Sequence, residues 1–546
     1  MFNLLLFCLV SVLIITPCGY FLIRNNELSI NNFSKQLIFG SIIISFLCLL
    51  INFILPINKP VSTILLIFPL YFIYKNKSLF FSSKFIFFLI INSFIIFLLV
   101  AKSKIFMPDA ILYHLQYTSI INDQKIILGL SNLHFRFAHI SVMQYFSAFF
   151  NNYIFAEKGI VLSSAIIASS VIVNFISQIY NYLKNKKFNF HFFFLFLIFI
   201  FIVYKMNRFS EYGNDAPTHF LFFFLISEII KSLENKDLDF SNNLFLAVFI
   251  IMNKLTMAFA IFLPFINYKK LSVKNFKSYK VLFIGLFLFL WLIKNILVSG
   301  CIAYPEPRLC LSYIPWVDLK TTKEVKTENQ AWTRGWPDYD GKITYEDYNK
   351  NFKLWIQTWY QGHFKNKILS IIAPYIILIL IIYLFFRYSS DKNKKILSKE
   401  NNKFILLNIV LLFFTFIWIL TVPIYRYGYS YLISFISAFF SLQIIKIKLD
   451  VIKVSKFINF FIIICFFVFV GKNSLRIFEK NKKEIWPKIT FLKKENVKKI
   501  ELSNISYFES PAMCGYGNSP CTHIRNLQLK STKILNYKVI IKQRSD

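Results

Sequence analysis

A chain of 546 residues with 56% hydrophobic residues, 67 phenylalanines and a mean hydropathy of +0.55 has too little polar surface to cover a soluble fold, so it reads as a polytopic membrane protein. The formal net charge of +35 invites a nucleic-acid partner, but the basic residues fall in short clusters between apolar runs and no nucleic-acid-binding motif accompanies them, which excludes that class. The eight cysteines show no metal-ligand spacing; Cys301 with Cys310, and Cys514 with Cys521, are possible disulfides that would place their segments in an oxidising compartment.

In chain order, Met1 to Ile23 is apolar with no Lys or Arg ahead of it and reads as a retained first span. Further spans are expected at 37–57, 61–74 and 85–101. Arg24 and Lys35, then Lys75, Lys77 and Lys84, mark alternate connections as cytoplasmic, which puts the loop 102–158 outside. That loop concentrates Asp109, His114, His134, Arg136 and His139, the composition of a site. Asp109 to Ile121 suits a short helix with Pro108 in its first turn; Asp109, Tyr113 and Gln116 share one face, and His114 the neighbouring one. A second short helix is expected around His139 to Phe150.

Spans at 160–180, 191–204 and 218–233 follow, with Asp215 in an external loop at 205–217. Residues 243–267 are interrupted by Met252, Asn253 and Lys254, which predicts two shorter helices meeting at a turn, with a charge that needs a reason to be there. Spans at 281–299, 368–387, 404–422, 430–446 and 457–471 complete the set. Lys clusters at 184–187, 231–236, 269–280, 392–395 and 446–456 all fall on the inner side. The fold class is an all-α polytopic membrane protein of about 12–14 transmembrane helices spanning 1–471, with both termini outside. The tail 472–546, with alternating stretches such as KILNYKVIIK, suggests a small α/β extracytoplasmic cap. The external loop 300–367 holds Trp316, Trp332, Trp336, Trp355 and Trp359 with acids from Glu306 to Asp347. Indole faces pack on sugar rings and carboxylates accept their hydroxyl hydrogens, so the loop suits a carbohydrate, although tryptophans also belt membrane interfaces.

An external first loop with an acid just after a span, paired interfacial helices, a later Asp and a large loop further on resemble the GT-C membrane glycosyltransferases. DAILYH, GLSNLHFRF, SGCIAYPEP with IPW, RYGY and CGYGNSPCT are similar to an uncharacterised family of large bacterial integral membrane proteins. The GT-C resemblance implies transfer of a sugar from a polyprenyl-phosphate carrier to a glycan or lipid acceptor on the outer face of the bacterial inner membrane. It also implies that Asp109 is the base and Asp215 the second-loop acid. Many GT-C members carry two adjacent acids where this chain has Pro108, Asp109 and Ala110. The residue chemistry adds His114 as an alternative base, and Arg136, Arg426 and Lys254 as cations for a phosphate. Tyr113, His134, Tyr304 and Trp316 are substrate-binding candidates. No metal or cofactor is required. The competing reading of each is local: Asp109 can meet a helix dipole, and His114 and His134 can anchor loops. A transporter or flippase of lipid-linked glycan, or an O-antigen polymerase or ligase, is the alternative function.

Overall fold

A computed structural model describes every residue except 25–28, 104–107, 140, 207–208, 210–211, 236–238, 268–270, 338–341, 389–401, 448, 480–483, 488, 490–496, 512, 518 and 544–546. Lys236, Lys269, Lys270 and the cluster Lys392 to Lys395 thus lie outside the described residues. The helices are α1 (Phe2–Tyr20), α2 (Ile30–Asn52), α3 (Lys59–Ile64), α4 (Ile67–Lys75), α5 (Lys77–Phe80), α6 (Ser83–Val100), α7 (Leu115–Asp123), α8 (Met143–Phe149), α9 (Leu162–Lys184), α10 (Phe190–Lys205) and α11 (Asp215–Asn235). They continue as α12 (Phe240–Asn253), α13 (Val273–Phe276), α14 (Tyr279–Ser299), α15 (Leu319–Thr333), α16 (Tyr345–Lys350), α17 (Phe352–Trp359), α18 (Ser370–Tyr388), α19 (Asn402–Thr421), α20 (Tyr425–Ile444) and α21 (Val451–Ile477).

Among the described residues nine helices are long and apolar enough to cross a membrane. The protein is therefore a multi-pass, mostly helical membrane protein. Short polar residues start several of these helices and the shorter α10: Ser29, Ser82, Asn189 and Asp450 each accept from a first-turn N–H of α2, α6, α10 and α21, satisfying donors that lipid cannot. The long apolar window that ends in α9 is 94% buried and that of α21 only 22%, so α9 lies in the middle of the bundle and α21 on its rim. Helix α20 traverses the bundle with a Ser- and Tyr-rich sequence, which its buried interior position permits.

Two expected spans differ from continuous helices. Residues 61–74 form α3 and α4, broken at Leu65 and Leu66; Pro69 has no N–H to donate to the carbonyl four residues back, which is that of Leu65. The pair still traverses, from Ile57, bonded to the Ile121 carbonyl, to Phe72, whose ring packs on Phe21. Residues 240–265 make a hairpin. Helix α12 ends at Asn253, Lys254 is extended (φ −155°, ψ 105°), and a tightly wound 3₁₀ segment, Leu255–Phe265, returns until the Phe265 ring lies 5.3 Å from Phe240. The hairpin thus enters and leaves at one end of the bundle, with Asn253 and Lys254 at its tip.

Partner residues sort the bundle into two ends. One end gathers Ile57 with Ile121, Gly129 with Leu297, and Arg476 with the Ala101 carbonyl. The other gathers Phe33 with Phe85, Phe190 with Phe404 and Phe385 with Phe457, and it carries the described basic clusters between helices. The start of α1 and the described tail sit at the first end, where Phe7 packs edge-on to Trp486 at 5.4 Å and the Ile540 N–H donates to the Leu128 carbonyl. The loop 300–367 is largely helical, as α15 to α17. The tail is a sheet rather than α/β among its described residues. Strands β1 (Lys498–Glu501), β2 (Ser506–Glu509) and β3 (Cys521–Thr522) form one sheet, with β1 and β2 antiparallel and β2 and β3 parallel. A separate antiparallel hairpin is made by β4 (Leu529–Ile534) and β5 (Tyr537–Lys542), in which the consecutive residues Val539 and Ile540 are both buried rather than alternating.

Candidate functional site

The first loop builds the floor of a cavity of about 490 Å³ at the end of the bundle that carries the tail. A π-turn, Ala110–His114, leads into α7, so Asp109, Tyr113 and His114 fall on the cavity side of one short helix. The opposite side of that helix is held by the tail. The Gly515 N–H donates to the Ile111 carbonyl (3.0 Å), the Gly517 N–H to Ser119 Oγ (3.1 Å), and Ser519 Oγ to Asp123 (2.5 Å). All three donors lie in the loop closed by the Cys514–Cys521 disulfide.

Two acids and three cations converge on this cavity from stretches far apart in the chain. Arg426, at the start of α20, donates from Nη1 to Asp109 Oδ2 at 2.7 Å. Lys254, at the hairpin tip, pairs with Asp215 at the first turn of α11 and donates to the Arg426 carbonyl at 2.6 Å. Its ammonium also lies 4.7 Å from the Tyr427 ring centroid. The charge that interrupts the apolar run at 252–254 therefore has its reason: it joins hairpin, α11 and α20 at one point. Arg136 stacks over Tyr113 and Phe135 (5.5 and 5.2 Å) and, among the described residues, has no carboxylate partner.

His114 is neutral here, because burial pushes its imidazole down to about 4 against the pull of Asp215 and Asp109. Its tautomer follows from its neighbours. Ser141 Oγ donates to Gln144 Oε1 (2.6 Å), so Gln144 Nε2 is the donor to His114 Nδ1 (2.9 Å). The proton then sits on Nε2, next to Gly213, where an added Cβ would come within 3.3 Å of that nitrogen. His114 is thus built to donate a hydrogen bond from Nε2. His139 lies deeper in the wall, edge-on to Tyr304 at 5.2 Å, and burial with the nearby Arg136 lowers its imidazole to about 3.

Asp109, Tyr113, His114, Arg136, Asp215, Lys254, Tyr304 and Arg426 all line the cavity. His134 does not. Its Nδ1 accepts the Arg136 N–H (3.1 Å) and its Nε2 meets His523 Nδ1 (3.2 Å), so it anchors the loop to the tail. Trp316 does not line it either: its indole donates to the Ile296 carbonyl (3.1 Å) and packs with Leu128 and Val539 beneath the tail hairpin. None of the five loop tryptophans faces the cavity; Trp291 of α14 does. Both candidate cysteine pairs are bridged. Residues that sequence reasoning missed are Trp291, Asn329, Gln330 and Tyr427, while Glu306, the first of the loop acids, does line the cavity. The signal for those in α15 was present: Lys326, Asn329, Gln330 and Thr333 recur at helical spacing. Among the described residues, no group of three or more His, Cys, Asp or Glu side chains is placed to hold a metal ion.

These features define a class: a multi-pass helical membrane protein with a charged cavity at one end of its bundle. The chain belongs to the family of the domain of unknown function DUF8201, whose profile matches residues 1–433. The match takes in every stretch that lines the cavity and stops before α21 and the tail sheet. No curated protein and no solved structure matches the chain.

Proposed function

We propose that this protein is a GT-C-like membrane glycosyltransferase that moves a sugar from a polyprenyl-phosphate carrier to a glycan or lipid acceptor on the outer face of the bacterial cytoplasmic membrane. The observation that carries the reading is the cavity's combination of charges and wall. Asp109, Asp215, Lys254, Arg426 and Arg136 lie beside an apolar side made by Ile251, Leu255, Phe259 and Trp291. An anionic head joined to a long apolar chain needs both.

A sugar phosphate carries its own leaving group. The acceptor oxygen loses its proton to a carboxylate and bonds to the anomeric carbon; the bond from that carbon to the phosphate oxygen breaks, and the lipid phosphate leaves as an anion. Direct displacement inverts the anomeric centre. Asp109 is the base. Its carboxylate is paired with Arg426; an arriving phosphate competes for that guanidinium, which grips it bidentately with Arg136 nearby and frees Asp109 to accept the proton. Asp215 is held by Lys254 and orients the hairpin tip.

The hairpin also favours a second reading, a transporter or flippase of lipid-linked glycan, since discontinuous helices with a charged tip are a device of transporters. Membranes from a deletion strain expressing wild type or Asp109→Asn, supplied with radiolabelled polyprenyl-phosphate sugars, separate the two. Transfer of label to extractable glycan by wild type, reduced roughly 10²- to 10⁴-fold in the variant, is the expected result for loss of a base. Equal transfer by both removes Asp109 from the chemistry. Transfer by neither, with lipid-linked glycan accumulating on the inner face of the deletion strain, selects the flippase.

A further inference from the structure

The cavity has two chemically different ends. Around Asp109, Asp215, Lys254, Arg426 and Arg136 it is charged. Along α15 it is polar but locally neutral. Lys326 donates to Glu306 at 2.7 Å and is cancelled by it. The next residues of the same helical face, Asn329 and Gln330, are half-buried amides whose side chains have no hydrogen-bond partner among the described residues, and Thr333 completes the face. The packing side of α15 is Thr322, Val325 and Ala331, with buried Thr333 shared between the two faces, and Trp332 points away at 49% exposure. Nothing in the fold therefore requires amides at 329 and 330.

Other lining groups carry buried polar atoms with no partner among the described residues: His139 Nε2, Trp291 Nε1 and Glu306 Oε1. The indole N–H only donates and the carboxylate oxygen only accepts, while an amide does both. Leaving such atoms unpaired is costly, so a site that collects them is one that a ligand completes. Beside Asn329 and Gln330 a second anion would meet only the paired Lys326 and Glu306. A ring bearing several hydroxyls, each able to donate and accept, matches a wall of mixed donors and acceptors.

We infer that the α15 wall, Asn329 and Gln330 with Glu306, His139 and Trp291, is the subsite for the glycosyl ring, set against the phosphate end of the cavity. This rests on the lipid-phosphate sugar reading above and adds to it the residues that select the sugar. In that arrangement the phosphate lies between the cations, the lipid chain runs along Ile251, Leu255 and Phe259, and the ring faces α15.

Binding to the full-length protein in nanodiscs is the test. Two kinds of probe are used: undecaprenyl phosphate alone, and undecaprenyl phosphate esterified to glucose, galactose, mannose or N-acetylglucosamine. Wild type is expected to bind at least one glycosylated probe tenfold or more tightly than the bare lipid phosphate. In Asn329→Ala/Gln330→Ala that preference is lost, while bare undecaprenyl phosphate binds as before, which also shows that the variant is folded. A preference that survives in the variant, or a wild type that binds bare and glycosylated probes alike, overturns the subsite and leaves the lipid-phosphate reading standing. Failure of every probe to bind wild type overturns both.

Discussion

Charge is buried at both ends of this bundle, and the two ends use it differently. At the end away from the tail, Lys35 of α2 pairs with Glu228 of α11, with the side chains only 16% and 7% exposed. One cation meets one acid, and the pair fastens two helices. At the cavity end, four cations (Arg136, Lys254, Lys326 and Arg426) face three carboxylates (Asp109, Asp215 and Glu306), and the lining histidines are neutral. The surplus of one positive charge has no counter-ion within the described chain. An isolated ion pair inside a membrane protein is a structural device; an unbalanced cluster around an open cavity is a place for an anion.

Breaking one pair at each end gives the largest effects. Lys35→Met strands Glu228, and removing one partner of a buried pair costs about 3–5 kcal/mol, so this variant is expected to unfold at markedly lower temperature in detergent; Lys254→Met leaves Asp215, whose side chain is 33% exposed and near Arg426, and lowers that temperature less. The double variants then separate the ends. Lys35→Met/Glu228→Gln should regain both thermal stability and label transfer. Lys254→Met/Asp215→Asn should regain stability but not transfer. Recovery of transfer in the second double variant would place the Lys254–Asp215 pair with Lys35–Glu228, as a fastener.

A smaller effect is expected from the tail. The loop between Cys514 and Cys521 holds the face of α7 opposite the cavity, through Gly515, Gly517 and Ser519. Cys514→Ser/Cys521→Ser leaves the bundle intact but loosens the helix that carries Asp109. Displacements of about 1 Å at a reacting group cost up to roughly 10²-fold, so transfer should fall about 10- to 100-fold with helical content unchanged. The decrease should appear in kcat rather than in binding of bare lipid phosphate, since the cations on the hairpin and α20 stay in place. Unchanged transfer would make the tail a cover and not a support.

Much of this arrangement was legible in the sequence, and what was not has a physical cause. Asn253 and Lys254 inside an apolar run announced the hairpin turn, because a charge there needs a partner. The acids and arginines of the cavity stood out for the same reason. The break between α3 and α4 was written in Pro69 but overridden by the hydropathy of its surroundings. The roles of His134 and Trp316 were not legible: each is decided by a partner in or beneath the tail, His523 or Val539, more than 200 residues away. The tryptophan-rich loop drew attention to indoles, while the face that meets the cavity is the amide face of α15, visible only when the spacing of residues 326, 329, 330 and 333 is read as a helix.

The smallest effect concerns protons. His114 has a folded value of about 4, below its ordinary 6.5, because burial disfavours the charged ring. Above pH 6.5 the ring is neutral in both folded and unfolded chains and contributes no pH dependence. Between 6.5 and about 4 the unfolded chain takes up the proton and the folded chain does not, so stability falls as pH falls and levels off below 4. His139 and His134, each lowered to about 3, extend the same slope to more acid pH. His114→Gln removes one contributor, and the decrease in thermal midpoint from pH 7 to pH 4.5 should shrink by on the order of 1–3 °C. Two histidines of the first loop differ in what surrounds them: His114 titrates beside two carboxylates that oppose its burial, and His134 beside His523 and Arg136, which reinforce it. His134→Gln should therefore flatten the acid limb below pH 4 more than His114→Gln does. The reverse order would mean that the ring of His114, and not that of His134, is the one kept from water most completely.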